Sequence, residues 1–161
     1  MKARDIMTDD VITVTADTSI DAIAKILHAH RISGVPVVDG EHRVIGIVTE
    51  GDLIIKLARP ETPPHIEILG GIIYLKKITE IDAELKKITA VTARDIMTEK
   101  VVTVEEDCSV EDVASLMVNR KVNRLPVVRK GKLVGIVTRA DLIETMMSEP
   151  SPDDAHIPDV T

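Results

Sequence analysis

The chain has 161 residues, 44% hydrophobic and 29% charged, with a formal net charge of −7, which suffices for one compact domain or two small ones. The acidic balance and the near absence of aromatic residues (Tyr74, with no Phe or Trp) argue against a nucleic-acid partner, which needs a clustered basic face or bases stacked on rings. Cys108 is the only cysteine, so one chain forms neither an internal disulfide nor a thiolate metal cluster, and a reducing, cytoplasmic setting is expected.

The chain opens on Ala3-Arg4-Asp5-Ile6-Met7-Thr8, read as a short turn. Val11-Ile12-Thr13-Val14 is β-branched and brief, which predicts a strand. Asp17-Thr18-Ser19 supplies helix N-cap chemistry, and Ile20, Ile23, Ala24 and Leu27 form one apolar stripe at helical spacing. The helix is expected to end near His30-Arg31. Val35-Pro36-Val37-Val38 predicts a second strand, its proline suited to the first residues or to an edge. Asp39-Gly40 marks a turn, Val44 to Val48 a third strand, and a second helix begins after Thr49 with Leu53 and Ile54 inside it.

From Met1, the chain runs directly into this first unit, so no signal peptide is expected. No apolar run approaches the ~18 residues of a membrane span. Residues 57–92 are expected to be structured, because so long a connection rarely stays plain linker. The apolar runs of His65 to Leu75 flank Gly70-Gly71 and suggest a hairpin, a candidate partner-facing surface. Thr79-Glu80-Ile81-Asp82 resembles a capping box, with Ile81, Leu85 and Ile88 as the stripe of a short helix.

The order then repeats. Ala93-Arg94-Asp95-Ile96-Met97-Thr98, Val101-Val102-Thr103-Val104, the stripe Val110, Val113, Ala114 and Met117, Leu125-Pro126-Val127-Val128, Lys130-Gly131 and Gly135-Ile136-Val137-Thr138 restate the first half. The reading is α+β: two β-α-β-β-α repeats, residues 1–56 and 93–147, with 57–92 inserted and an acidic, proline-containing tail from 148 to 161. Each repeat is small enough to be marginal alone, so the halves are expected to share a core about a pseudo-twofold axis. Two related clefts favour binding over a single catalytic site.

The informative motif is Thr49-Glu50-Gly51-Asp52 and its copy Thr138-Arg139-Ala140-Asp141, each where a strand gives way to a helix. A helix N-terminus presents unpaired N–H groups and partial positive charge, which with a Thr hydroxyl suit a phosphate. An aspartate can accept hydrogen bonds from ribose hydroxyls, and nearby apolar strand residues can sandwich a base. The competing reading is that Thr-x-x-Asp only caps its own helix. His28 and His30 lie two apart and do not share a helix face, while His42, His65 and His156 are scattered, so no metal is expected. No nucleophilic triad or Gly-rich phosphate loop is present. Met146-Met147 reads as packing or a dimer surface, and Cys108 as a small buried residue near a helix start.

These motifs together resemble the cystathionine-β-synthase (CBS) domain family over residues 3–56 and 93–147. The resemblance implies paired β-α-β-β-α units, flat homodimers, and binding of AMP, ADP, ATP or S-adenosylmethionine in clefts between copies, with no cofactor required and no enzymatic activity. It implies crossed sites. One would use Thr49 and Asp52 with Val102, Thr103, Val122, Arg124 and Leu125. The other would use Thr138, Arg139 and Asp141 with Ile12, Thr13, Ile32, Ser33 and Val35. Asp52 and Asp141 would hold ribose, Thr49 and Thr138 would sit near phosphate, and Arg124 and Arg139 would neutralise it. The resulting expectation is a regulatory module that senses adenine nucleotides and acts on an unidentified protein. The alternative is a CBS-fold interaction or dimerisation module without a ligand.

Overall fold

The computed structural model describes residues 1–57, 65–68, 71–74 and 90–148. In chain order the elements are α1 (Ala3–Ile6), α2 (Ile20–His30), β1 (Gly34–Val38), β2 (Val44–Thr49), α3 (Glu50–Leu57), β3 (His65–Ile68), β4 (Gly71–Tyr74), α4 (Ala93–Ile96), β5 (Val104–Glu105), α5 (Val110–Arg120), β6 (Arg124–Arg129), β7 (Lys132–Thr138) and α6 (Arg139–Ser148). They form two compact units, one of Ile12–Val101 and one of Met1–Val11 with Val102–Thr161. The α+β character and the duplicated order follow the sequence. Among the described residues no helix is long and apolar enough to cross a membrane.

In the unit of Ile12–Val101, α2 starts where the Ser19 hydroxyl accepts the Ala22 N–H at 3.2 Å, satisfying one of the donors a helix start leaves orphaned. Ile20, Ile23 and Leu27 are buried. Ala24, expected in the stripe, is exposed, and Ile26 packs against the core in its place. The helix ends on Arg31 at φ 53°, ψ 42°, whose N–H reaches the Leu27 and His28 carbonyls. That left-handed conformation costs a non-glycine residue about 1–2 kcal/mol. Arg31→Gly is therefore expected to stabilise the protein by roughly 0.5–1 kcal/mol, after the extra entropy glycine gives the unfolded chain. A urea midpoint that failed to rise would contradict this.

Strand β1 is buried along its length and pairs antiparallel with β2, Gly34 opposite Thr49 and Pro36 opposite Ile47. The strand expected at Val11–Val14 shrinks to a single parallel bridge, Val14 to Val37. Val14 N–H donates to the Pro36 carbonyl at 3.1 Å, and Val38 N–H to the Val14 carbonyl at 2.9 Å. The next ladder bond toward Ile12 would need a donor on Pro36, which has none. Proline thus sits at the third position of a buried strand, and its missing N–H truncates the neighbouring strand. Pro126 has the same effect in the other unit, where β5 pairs with β6 only through Val104 and Glu105.

The unit built on the second repeat follows the same plan. Ser109 caps α5, Val113 and Met117 are buried, and Lys121 ends the helix at φ 54°. Strands β6 and β7 pair Arg124 with Thr138 and Leu125 with Val137. They turn on Lys130 and Gly131, both at positive φ, as a two-residue hairpin connection requires. In the first repeat the Asp39-Gly40 turn is built differently. The Asp39 carboxylate accepts the Glu41 and Arg43 amides, each at 2.9 Å, and His42 takes the left-handed position. The Arg43 amide bond holds the Asp39 carboxyl below its usual range.

Each Asp-Ile-Met-Thr segment is built into the unit of the other repeat. Thr8 exchanges both backbone hydrogen bonds with Ile136 at 2.9–3.0 Å, and Ala3 donates to the Cys108 carbonyl at 2.8 Å. Thr98 exchanges both with Ile47 at 3.0–3.1 Å, and Ala93 donates to Thr18 at 2.9 Å. Sequence repeats and compact units are therefore offset by one leading segment. Asp95 fastens the second segment by accepting the Val91 and Thr92 amides, which lower its carboxyl pKa.

In the insertion, β3 and β4 pair antiparallel from His65–Tyr74 to Ile68–Gly71, the expected hairpin. The helix expected over Thr79–Ile88 and the tail beyond Ser148 lie outside the described residues.

Candidate functional site

The two Thr-x-x-Asp motifs have the same local geometry. Asp52 Oδ2 accepts the Thr49 N–H at 2.9 Å and the Thr49 hydroxyl at 3.0 Å. Asp141 Oδ2 accepts the Thr138 N–H at 2.6 Å and the Thr138 hydroxyl at 2.8 Å. Each is a carboxylate three residues into a helix reaching back to the residue before it, the reciprocal half of a capping box. One oxygen of each aspartate is thus engaged by its own helix end. The copies differ in depth: Asp52 is only 8% exposed, whereas Asp141 is half-buried. Among the described residues Asp141 Oδ1 makes no hydrogen bond, and Asp141 lines a cavity of about 290 Å³ with Asp5, Ile6, Met7 and Glu144.

The helix entrances are tied to the start of the preceding hairpin. Glu50 N–H donates to the Ser33 carbonyl at 3.0 Å, and Arg139 N–H to the Asn123 carbonyl at 3.1 Å. The unit of Ile12–Val101 therefore holds Ile12, Thr13, Ile32, Ser33, Val35, Thr49 and Asp52. The other holds Val102, Thr103, Val122, Arg124, Leu125, Thr138, Arg139 and Asp141. Val122 and Arg139, which the resemblance assigns to different sites, line one cavity of about 500 Å³ with Lys121, Asn123, Met117 and Leu142. The Arg139 guanidinium donates to Asn123 Oδ1 at 3.3 Å. A second cavity, about 580 Å³, occupies the equivalent place in the first repeat, lined by Leu27, His28, Arg31, Ile32 and Glu50.

Val35 and Leu125 have no exposed surface and belong to the cores of their units. Their side chains are spent on packing, so any ligand contact there would come from backbone atoms. Ile12, Thr13, Ile32, Val102 and Val122 are half-buried, while Ser33, Thr103 and Arg139 are exposed. Arg124 is half-buried at the start of β6, opposite Thr138.

The sequence reading passed over Lys121 and Asn123. A signal existed, because Asn123 occupies in the second repeat the place of Ser33 in the first. Among the described residues no group of three or more His, Cys, Asp or Glu side chains is placed to hold a metal. Cys108 is half-buried, and desolvation, aided by the nearby Asp112 charge, raises its thiol pKa, which works against a reactive thiolate.

The CBS domain family matches this chain at residues 3–59 and 93–148. An uncharacterized protein of Methanocaldococcus jannaschii is 34% identical over 157 residues, covering 91% of this chain and 92% of that one. For longer relatives the chain spans as little as 23% of their length. The fold is similar to the CBSX2 structure in complex with AMP, at TM-score 0.77 and 25% identity, covering 91% of this chain and 96% of that one. It is also similar to the CBS domain pair of MJ0100 in complex with 5′-methylthioadenosine and S-adenosyl-L-methionine, at TM-score 0.69 and 27% identity, covering 93% and 98%. With both copies matched on a duplicated fold, the chain belongs to the CBS domain family as a tandem CBS domain pair.

Proposed function

We propose that this chain is a regulatory module that binds an adenosine-bearing ligand, AMP, ADP, ATP or S-adenosylmethionine, and signals by a change of conformation. The observation that carries the reading is the duplicated strand-to-helix junction, with Thr49 and Asp52 matched bond for bond by Thr138 and Asp141. Similar folds hold AMP in one case and adenosyl compounds in another. The proposed contacts are the two residue sets named from the resemblance, with Val35 and Leu125 acting through their backbone. Asp141 can offer Oδ1 to a ribose hydroxyl while Oδ2 keeps its bonds to Thr138. A ligand shifts a protein between states only by binding one of them better. The role proposed is binding, without catalysis and without a required cofactor.

The test is calorimetry and thermal unfolding with AMP, ATP and S-adenosylmethionine. A ligand at a hundred times its dissociation constant should stabilise the fold by about 2.7 kcal/mol. Absence of heat and of any thermal shift with all of them would sink the proposal.

A second reading, a ligand-free interaction module, draws on a different observation. On α5 and α6, Val118, Ile143, Met146 and Met147 are between 56% and 82% exposed, and clustered apolar side chains of this kind mark association surfaces. We assign this face to a homodimer, compatible with either reading, through which an unidentified regulated protein would sense the state of the module. Sedimentation equilibrium of the native chain against Met146→Asp measures it, with a weakened dimer expected.

A further inference from the structure

We propose that the hairpin of the insertion is an interface between copies of this chain: β3 pairs antiparallel with β3 of a second copy, centred on Ile66, and joins two hairpins into one four-stranded sheet. The contact is separate from the α5–α6 face and independent of the ligand reading.

The hairpins differ in how their edges are met. Among the described residues, Val14 bridges β1 and Thr98 bridges β2, while β5 pairs with β6 and Thr8 bridges β7. Both of those hairpins also carry a register shift, at Val37/Val38 and at Val127/Val128. Among the same residues β3 and β4 form a two-stranded sheet of their own, with an unbroken register. A two-stranded hairpin is marginal by itself in water, and added strands stabilise it. His65–Ile68 and Gly71–Tyr74 contain no proline, lysine or bulge, features that commonly keep sheet edges apart.

Backbone alternation and charge select the edge and the partner. Ile68 opposite Gly71 leaves two residues between the strands, and a two-residue connection closes on a hydrogen-bonded pair. Ile68 and Ile66 therefore bond within the hairpin, and the backbone groups of Glu67 and His65 point to the outer edge of β3. A twofold axis at Ile66 sets position 65 of each copy opposite position 67 of the other, as hydrogen-bonded pairs, with position 66 opposite itself. The residue types at those positions are His and Glu, twice, and Ile with Ile. An imidazole donor against a carboxylate and an apolar pair both favour that register. Centring on Glu67 would set carboxylate on carboxylate. The β4 edge, Gly71-Ile72-Ile73-Tyr74, has no charge to fix a register. The β3 edge is thus complementary to itself, the requirement for a closed twofold contact with a second copy.

The test is disulfide trapping in the full chain carrying Cys108→Ser, which removes the only native cysteine. In the four-stranded sheet the two copies of residue 66 form a non-hydrogen-bonded pair with Cα atoms about 4.5 Å apart, within disulfide range. The two copies of residue 73 lie on the outer strands, three strand spacings or about 14 Å apart. Under mild oxidation Ile66→Cys should be trapped as a covalent dimer and Ile73→Cys should not. Adding Glu67→Lys to the Ile66→Cys chain should slow trapping about tenfold, because two cross-strand pairs become repulsive. Adding His65→Glu as well should restore it. Thermal unfolding establishes that each variant is folded. Failure to trap Ile66→Cys, trapping of Ile73→Cys at an equal or faster rate, or a rate insensitive to both charge changes would each overturn the proposal.

Discussion

Replacing Leu125 by alanine is expected to lower the unfolding free energy by roughly 2–5 kcal/mol, the largest loss among the substitutions considered. Leu125 has no exposed surface and lies in a core cluster with Val104, Val113, Met117, Val127 and Val137. It sits on β6 opposite Val137, so both strands of the hairpin would line the cavity left behind. The cost combines lost transfer energy with a void that rigid strands cannot close. Urea unfolding measures it, as a lower midpoint at unchanged slope. Leu125→Met keeps most of the volume and should cost less than about 1.5 kcal/mol. A small loss of stability in Leu125→Ala, accompanied by a selective loss of nucleotide affinity, would return this side chain to the ligand and contradict its role in packing.

The second large effect concerns the contact between two repeated motifs. A Cβ on Gly46 would lie 2.4 Å from Met97 Sδ and 2.9 Å from its Cγ, and one on Gly135 would lie 2.3 Å from Met7 Sδ and 2.7 Å from its Cγ. The methionine of each Asp-Ile-Met-Thr segment therefore rests on the glycine of a Gly-Ile-Val-Thr strand, which explains both residues at once. Gly46→Ala should destabilise by about 1–3 kcal/mol through overpacking. Part of that cost is relieved if Met97 is also shortened. In Gly46→Ala with Met97→Ala, the combined loss should fall short of the sum of the single losses by about 0.5–3 kcal/mol. Hydrogen exchange localises the effect, because Ile47 and Thr98 bond each other through both amides and should lose protection together in Gly46→Ala. Additive losses, or unchanged protection at those two amides, would mean that the methionine slides aside without disturbing the pairing.

Features carried by neighbouring residues were legible in the chain. Ser19 and Ser109 begin helices because a hydroxyl three residues from an amide can cap it wherever the helix stands. The hairpin of His65–Tyr74 was readable for the same local reason. Thr49 and Asp52, with their copies, are legible as a pair because their spacing suits both a helix cap and a ligand. The structure displays the capping bonds in both copies. The first strand of each repeat was overdrawn, although its cause, Pro36 or Pro126, was in plain sight. The consequence needed the partner strand, because a missing donor matters only to the neighbour it would have bonded.

By itself the sequence determined the duplicated α+β plan, the family, the cap residues and the two junctions where a ligand would be sought. All of these depend on spacing along the chain, which local hydrogen bonds and apolar periodicity translate directly into elements. Only the tertiary structure decided that Val35 and Leu125 face the core, that Ala24 does not, that Asp52 lies deeper than Asp141, and that each leading segment pairs with the hairpin of the other repeat. Those outcomes depend on which surfaces distant segments cover, and burial is a property of the packed whole that no spacing of residues encodes.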